Sequence, residues 1–227
     1  MQIYFWLSFI ILCSICIYYI YYAFTSKPAQ VKVEDKVYVS NYDIQEISNF
    51  LSSEECDTLI QLSKGRLFPS KVYSTSSDLH DTSMRQSNQC WLQDTHHPVI
   101  EKLSKKVADH THTHKNYQEE LQVVSYDKGG FFRPHYDACE GSTEFCKRLD
   151  GDNGPRLLTF LIYLNDDFKG GGTHFPHINK TVKPEKGKAV LFYNVNKDGY
   201  VIHEAFHGGN PVESGNKWIA NKWVRIR

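Results

Sequence analysis

The chain has no excess of charge of either sign. Its 227 residues carry 26 Lys and Arg against 26 Asp and Glu, so no net field draws it to nucleic acid or anionic lipid. It has no internal repeat and no low-complexity tract, which excludes a repeat architecture. Charge is absent altogether from Ile3 to Phe24.

That uncharged run of Ile, Leu, Phe, Trp, Tyr, Cys and Ala is long enough, at about 1.5 Å per residue, to cross a hydrocarbon core of roughly 30 Å. A cleavable signal peptide has a shorter apolar region of about 7 to 15 residues. Tyr18, Tyr19, Tyr21 and Tyr22 suit an interfacial aromatic belt, so the reading is one uncleaved transmembrane signal anchor. Lys27, Lys32 and Lys36 follow it and, taken alone, argue against a luminal domain. Cys56, Cys90, Cys139 and Cys146, together with the glycosylation acceptor Asn179-Lys180-Thr181, argue for one. The expectation is a single-pass protein of the endoplasmic reticulum or another secretory-pathway membrane, with its main domain luminal. Four cysteines allow three pairings, and Cys139 with Cys146 is the favoured one. The organisation is an anchor over 1–25, a linker over 26–45 and one domain over 46–227.

A hydrophobic fraction of 41% is ample for a single core. Leu51-Ser52-Ser53-Glu54-Glu55 predicts a helix start, because the Ser52 hydroxyl caps while Glu55 reaches back; Cys56, Leu59 and Ile60 form the buried stripe and Gly65 ends it. A second helix opens at Pro98, with Ile100, Leu103 and Val107 at helical spacing. From Leu121 onward, short β runs are broken by glycine, proline and asparagine: 121–126, 157–164, 189–195 and 217–226. Such punctuation predicts a sandwich or barrel rather than a parallel α/β sheet.

In a strand, side chains two apart face the same way, so His135 and Asp137 present an imidazole and a carboxylate to one point. One distal histidine completes a two-histidine, one-carboxylate face that leaves positions open on Fe(II). His203 and His207 are both available, and His207, followed by two glycines that permit close backbone approach, is preferred. Lys217 lies in an otherwise apolar, aromatic run, where burial requires a negative partner. The alternation of His110, His112 and His114 resembles a strand, but no carboxylate matches their spacing; His96 and His97 read as helix-start residues.

Together these residues resemble the prolyl 4-hydroxylase family of Fe(II)/2-oxoglutarate dioxygenases, from about Ile47 to Arg227 and in the family's order. The segments that carry the likeness are 126–137, 156–166, Gly170-Gly171-Gly172-Thr173-His174-Phe175-Pro176, 186–190, His207-Gly208-Gly209-Asn210-Pro211-Val212 and Gly215-Asn216-Lys217-Trp218. The resemblance implies an α+β, mainly β fold: a double-stranded β-helix (jelly-roll) core buttressed by N-terminal helices. It implies His135, Asp137 and His207 as iron ligands, Lys217 as ion-pair partner of the 2-oxoglutarate 5-carboxylate, and Tyr126 as a donor to that carboxylate. Thr173 is placed in the same pocket or, equally, in a plain turn. It further implies O₂ as cosubstrate, ascorbate as reductant and a proline-rich or collagen-like peptide as substrate, hydroxylated at C4.

Met84-Arg85-Gln86-Ser87 is similar to the family's substrate-contacting Arg-x-Ser segment, which assigns Arg85 to the peptide; Trp218 and Phe132 are assigned to its groove. The chain departs from the family at Asp127, Lys128 and Asn210, and in the acidic, glycine-containing loop from Cys139 to Pro155. A hydroxylase of another residue such as lysine, or a silent peptide-binding module on the same fold, are the alternatives. The first typically pairs 2-oxoglutarate with arginine rather than lysine, and the second would be expected to lose a ligand or the lysine.

Overall fold

The computed structural model describes residues 42–72, 81–139, 143–196 and 198–225. The apolar run 3–24 lies outside them, and among the described residues no helix is long and apolar enough to cross a membrane.

Strand β1 (Gln45–Ile47) leads to helix α1 (Ser53–Ser63) and the short strands β2 (Phe68–Pro69), β3 (Arg85–Gln86) and β4 (Asn88–Leu92). Helix α2 (Pro98–Thr111) precedes β5 (Leu121–Tyr126) and β6 (Phe131–His135); helix α3 (Glu144–Asp150) precedes β7 (Arg156–Tyr163). The remaining strands are β8 (Lys169–Gly170), β9 (Thr173–Phe175), β10 (Lys180–Val182), β11 (Ala189–Tyr193), β12 (His207–Gly209), β13 (Val212–Ser214) and β14 (Lys217–Arg225). One sheet runs β1-β11-β7-β14-β5-β4-β2, a second runs β10-β9-β12-β6-β3, and β13 pairs with β8. From β5 to β14, apart from the β9–β10 hairpin within the smaller sheet and the separate β8–β13 pair, the strands alternate between the larger and the smaller sheet, as a double-stranded β-helix requires.

Two cores result, one on each face of the larger sheet. Between the sheets, Val124, Leu161, Tyr163, Val190, Phe192 and Ile219 meet Phe175 and Val182 of the smaller sheet. On the outer face, Leu121, Val123, Leu158, Phe160 and Ala220 meet Cys56 and Leu59 of α1 and Ile100, Leu103 and Val107 of α2. β7 is therefore buried on both faces and all eight of its residues are buried, which explains its nearly continuous apolar sequence.

The helix starts follow the sequence closely. Ser52 Oγ accepts from Glu55 N and Glu55 Oε2 accepts from Ser52 N, a complete capping box, and Gly65 at φ 79° turns the chain after the helix. α2 begins at Pro98, capped by His97, whose Nδ1 accepts from Val99 N. Ile44 is buried and β1 pairs with β11, so residues 42–45, assigned above to the linker, belong to the packed domain. His110, His112 and His114 form no strand: His110 ends a helix, His112 is its left-handed cap and His114 caps a 3-10 turn, so they share no face. Cys139 and Cys146 form a disulfide, while Cys56 and Cys90 are buried free thiols.

Candidate active site

β6 and β12 place His135 directly opposite His207, and Asp137 follows two residues beyond the end of β6. The close approach depends on Gly208: a Cβ there would stand 2.8 Å from both Phe132 O and Pro134 N. One ligand atom from each of His135, Asp137 and His207 lies within 4.8 Å of the others. His203, the alternative, lies outside this group, exposed and stacked on His177 at 3.6 Å.

The protonation states suit a cation. His135 Nδ1 lies 2.9 Å from Arg133 O, and His207 Nδ1 lies 2.9 Å from Ala205 O. Each carbonyl holds the proton on Nδ1 and leaves the Nε2 lone pair for a metal. Burial pushes the His207 imidazole down to about 4, so it is neutral near pH 7. Burial opposes ionisation of Asp137, but the His207 and His135 rings and the Arg156 guanidinium outweigh it and hold the carboxyl well below the usual range. Two donors fix that carboxylate through the same oxygen: Thr159 Oγ1 at 2.7 Å and Trp223 Nε1 at 2.9 Å, both to Oδ2. Asn194 Nδ2 bonds Thr159 Oγ1 at 2.9 Å, and the Arg156 guanidinium lies 3.7 Å over the Trp223 ring. Two imidazoles with Nε2 turned to the cavity and one anionic carboxylate form the donor set that suits Fe(II).

The three side chains open into a cavity of about 590 Å³ on the concave face of the larger sheet. Lys217 sits at its inner end, 1% exposed, 4.9 Å from the Tyr126 ring centroid and 5.7 Å from that of Tyr163. No anion is paired with it among the described residues, and burial alone pushes its ammonium down to about 7. A buried, uncompensated lysine facing a cavity is a receptor for a carboxylate. Thr173 is buried beside it, its hydroxyl 2.6 Å from Tyr163 OH. The donor set and this cradle together fit Fe(II) and 2-oxoglutarate.

Tyr126, Thr173, Arg85 and Phe132 all line the cavity. Arg85 is no ordinary surface charge: it is 8% exposed, bonds Ser87 Oγ through Nε at 2.9 Å and lies 4.6 Å over the Phe132 ring. Trp218, assigned from sequence to the peptide groove, is not in the cavity. Neighbouring residues of a strand face opposite ways, so with Lys217 turned inward Trp218 packs on the helix-side core. The tryptophan that reaches the site is Trp223, whose even spacing from Lys217 is the signal that finds it. Thr159 and Asn194 carry no such signal, because their roles depend on contacts between distant strands.

Comparison with known proteins agrees with this geometry. Residues 121–225 match the 2OG-Fe(II) oxygenase superfamily. A prolyl 4-hydroxylase candidate of Acanthamoeba polyphaga mimivirus is 34% identical over 182 residues, covering 80% of this chain and 73% of that protein. The alpha-1 subunit of Gallus gallus prolyl 4-hydroxylase is 35% identical over 202 residues, 87% of this chain but 38% of that subunit. The 2OG complex of the viral collagen prolyl hydroxylase from Paramecium Bursaria Chlorella virus-1 superposes with a TM-score of 0.66 at 31% identity, over 83% of this chain and 98% of that one. The chain belongs to the prolyl 4-hydroxylase family of Fe(II)- and 2-oxoglutarate-dependent oxygenases.

Proposed function

We propose that this chain hydroxylates proline in peptides, at C4, with Fe(II), 2-oxoglutarate and O₂, releasing succinate and CO₂. The observation that carries the reading is the meeting, in one cavity, of a His-Asp-His face with a buried lysine that has no anionic partner among the described residues. Bound Fe(II) and 2-oxoglutarate supply the oxidising chemistry, coupling decarboxylation of the cosubstrate to insertion of one oxygen atom into a C–H bond.

The protein's own part is positioning. His135 and His207 would present Nε2 to the metal because backbone carbonyls hold their Nδ1 protons. Thr159 and Trp223 occupy Asp137 Oδ2 and leave Oδ1, 3.5 Å from His135 Nε2, to face the metal position. Lys217 would neutralise the distal carboxylate of 2-oxoglutarate, with Tyr126 and Thr173 beside it, and the burial of all three strengthens such a pairing. Arg85 and Phe132 form the wall against which the peptide is held near the metal.

The run Ile3–Phe24 supports an anchored form, and the Cys139–Cys146 disulfide and the exposed Asn179 support a secretory lumen. Protease protection of the domain in sealed microsomes checks this; digestion from the cytosolic side would reverse the orientation. For the activity, mass spectrometry of proline-rich peptides, including Pro-Pro-Gly repeats, is the direct test, with Fe(II), ascorbate and 2-oxoglutarate present. A gain of about 16 mass units on proline that requires 2-oxoglutarate is the expected result. Succinate release with every peptide unmodified would move the substrate elsewhere, and neither product from iron-loaded protein would leave a binding module.

A further inference from the structure

Asp137 is followed two residues later by Cys139, and the disulfide from Cys139 to Cys146 joins the metal face directly to α3. By its own means α3 is a poor helix. Its seven residues make about two turns, well short of the roughly 12–15 residues that an isolated helix needs. Thr143 caps it, Oγ1 accepting from Cys146 N at 3.2 Å, and Glu144, Lys147 and Arg148 face solvent. Cys146 and Leu149, three residues apart, face inward at 1% and 8% exposure.

A tie at each end holds this short helix down. At its C-terminal end Arg225, the last residue of β14, donates from Nη2 to Leu149 O at 3.0 Å and from Nη1 to Asp150 O at 3.1 Å. At its first turn the tie is the disulfide. What α3 brings to the site is Leu149, which lines the same cavity as His135, Tyr136 and Asp137. The metal carboxylate does not hang on this brace, because Thr159 of β7 and Trp223 of β14 fix Asp137 Oδ2 from the larger sheet. Loosening α3 therefore removes a wall of the cavity and spares the metal face.

We propose that the Cys139–Cys146 disulfide is a redox switch on turnover: oxidised, it pins α3 and sets Leu149 in the cavity wall; reduced by a dithiol, it releases α3, and peptide turnover falls while metal and 2-oxoglutarate stay bound. The switch rests on the peptide-hydroxylase reading above and adds its regulation. Cys139 is half-buried whereas Cys146 is buried, so the thiolate of the dithiol attacks the Cys139 sulfur. A bond forms between the incoming sulfur and Cys139, the S–S bond breaks, and Cys146 leaves as a thiolate that takes up a proton. The second thiol of the reductant then displaces Cys139 and closes the reductant's own disulfide. Two electrons and two protons pass to the chain, and a disulfide of the same class restores the brace by the reverse exchange. Cys56 and Cys90, buried free thiols outside α3, take no part.

The test compares the oxidised full chain with one reduced by dithiothreitol and desalted anaerobically before Fe(II) and 2-oxoglutarate are added, a gain of two alkylatable thiols marking the reduced state. Hydrogen exchange of the α3 amides is read first, and reduction should strip their protection. Reduction should also lower kcat/KM for a Pro-Pro-Gly peptide about tenfold to a hundredfold, the scale of a misplacement near 1 Å. Fe(II) affinity by anaerobic titration and the KM for 2-oxoglutarate should stay unchanged. Cys139→Ser with Cys146→Ser should behave as the reduced chain and ignore the dithiol. Leu149→Ala, which keeps the disulfide, should lower kcat/KM while α3 stays protected. Equal exchange and equal turnover in the two redox states would leave the disulfide a staple and overturn the switch. A loss of Fe(II) affinity on reduction would assign the disulfide to the support of the metal face, and a dithiol effect that persists in the double variant would trace to the iron; either overturns the proposal. An oxidised chain that consumes 2-oxoglutarate yet modifies no peptide sinks the peptide-hydroxylase reading, and the exchange measurement still decides whether the disulfide holds α3.

Discussion

Lys217 holds a proton about as weakly as a histidine, and this sets both a stability and a binding signature. Its ammonium titrates at 10.5 ordinarily and at about 7 in the fold. Between those values the unfolded chain binds more protons than the folded one. Folding therefore gains stability as pH rises from about 7 toward 10.5, and the burial cost is fully present below 7. A carboxylate beside the ammonium raises its pKa again, so 2-oxoglutarate binding at pH 8 should take up nearly one proton. Calorimetry of the metal-loaded protein, in buffers of different ionisation enthalpy, reads this directly. Lys217→Met should abolish the uptake and weaken 2-oxoglutarate about tenfold to a hundredfold, as loss of a charged hydrogen bond does. Wild-type binding without uptake would remove the lysine from the carboxylate. The partners of Asp137 allow a second prediction. Trp223→Phe keeps the ring over which Arg156 lies and deletes one donor to Oδ2. Fe(II) affinity should fall about tenfold, measured by anaerobic metal titration, and an unchanged affinity would make Trp223 simple packing.

At the level of elements, the site depends on how closely β12 lies on β6. Gly208→Ala drives a Cβ onto two backbone atoms of β6, which have no flexible side chain to give way, whereas a Cβ at Gly209 finds nothing nearer than 3.6 Å. Gly208→Ala should displace His207 and reduce turnover about a hundredfold, the effect of a shift near 1 Å. Gly209→Ala should keep its metal affinity. Equal metal titrations for the two variants would show that β12 tolerates the displacement. Elements also show what sequence can carry. The capping box at Ser52, the proline at the start of α2 and the long strands β5, β7, β11 and β14 have local causes, and each was legible. β8, β9, β12 and β13 are two or three residues long and owe their pairing to neighbours far along the chain, so no periodicity marks them. The ligand triplet was legible from its parity and its order along the chain. Trp218 was misassigned because it stands beside Lys217 in sequence, while the pleat puts it on the opposite face.

The whole molecule joins a helix-braced outer core to an inner face that buries charge without balancing it. Lys217 has no anionic partner among the described residues, and around Asp137 two imidazoles, a tryptophan and a threonine are arranged for an ion to complete. The lysine costs stability in the empty protein and returns it on binding, and both groups give the native state a ligand that the unfolded chain cannot hold, so the ligands belong to the folding equilibrium. A ligand that binds only the native state adds about 2.7 kcal/mol at a hundred times its Kd. For a domain of this size each kcal/mol is worth about 2–4 °C in Tm. Anaerobic melting with Fe(II) and 2-oxoglutarate at that excess should therefore raise Tm by about 5–10 °C per ligand, with 2-oxoglutarate acting strongly only when metal is present. Chelation should return the Tm to its starting value. In Asp137→Ala the metal-dependent gain should vanish while a cooperative melt remains, because the outer core on α1 and α2 does not include Asp137. If the variant lost its cooperative transition instead, Asp137 would belong to the framework of the fold, and its loss of activity would say nothing about iron.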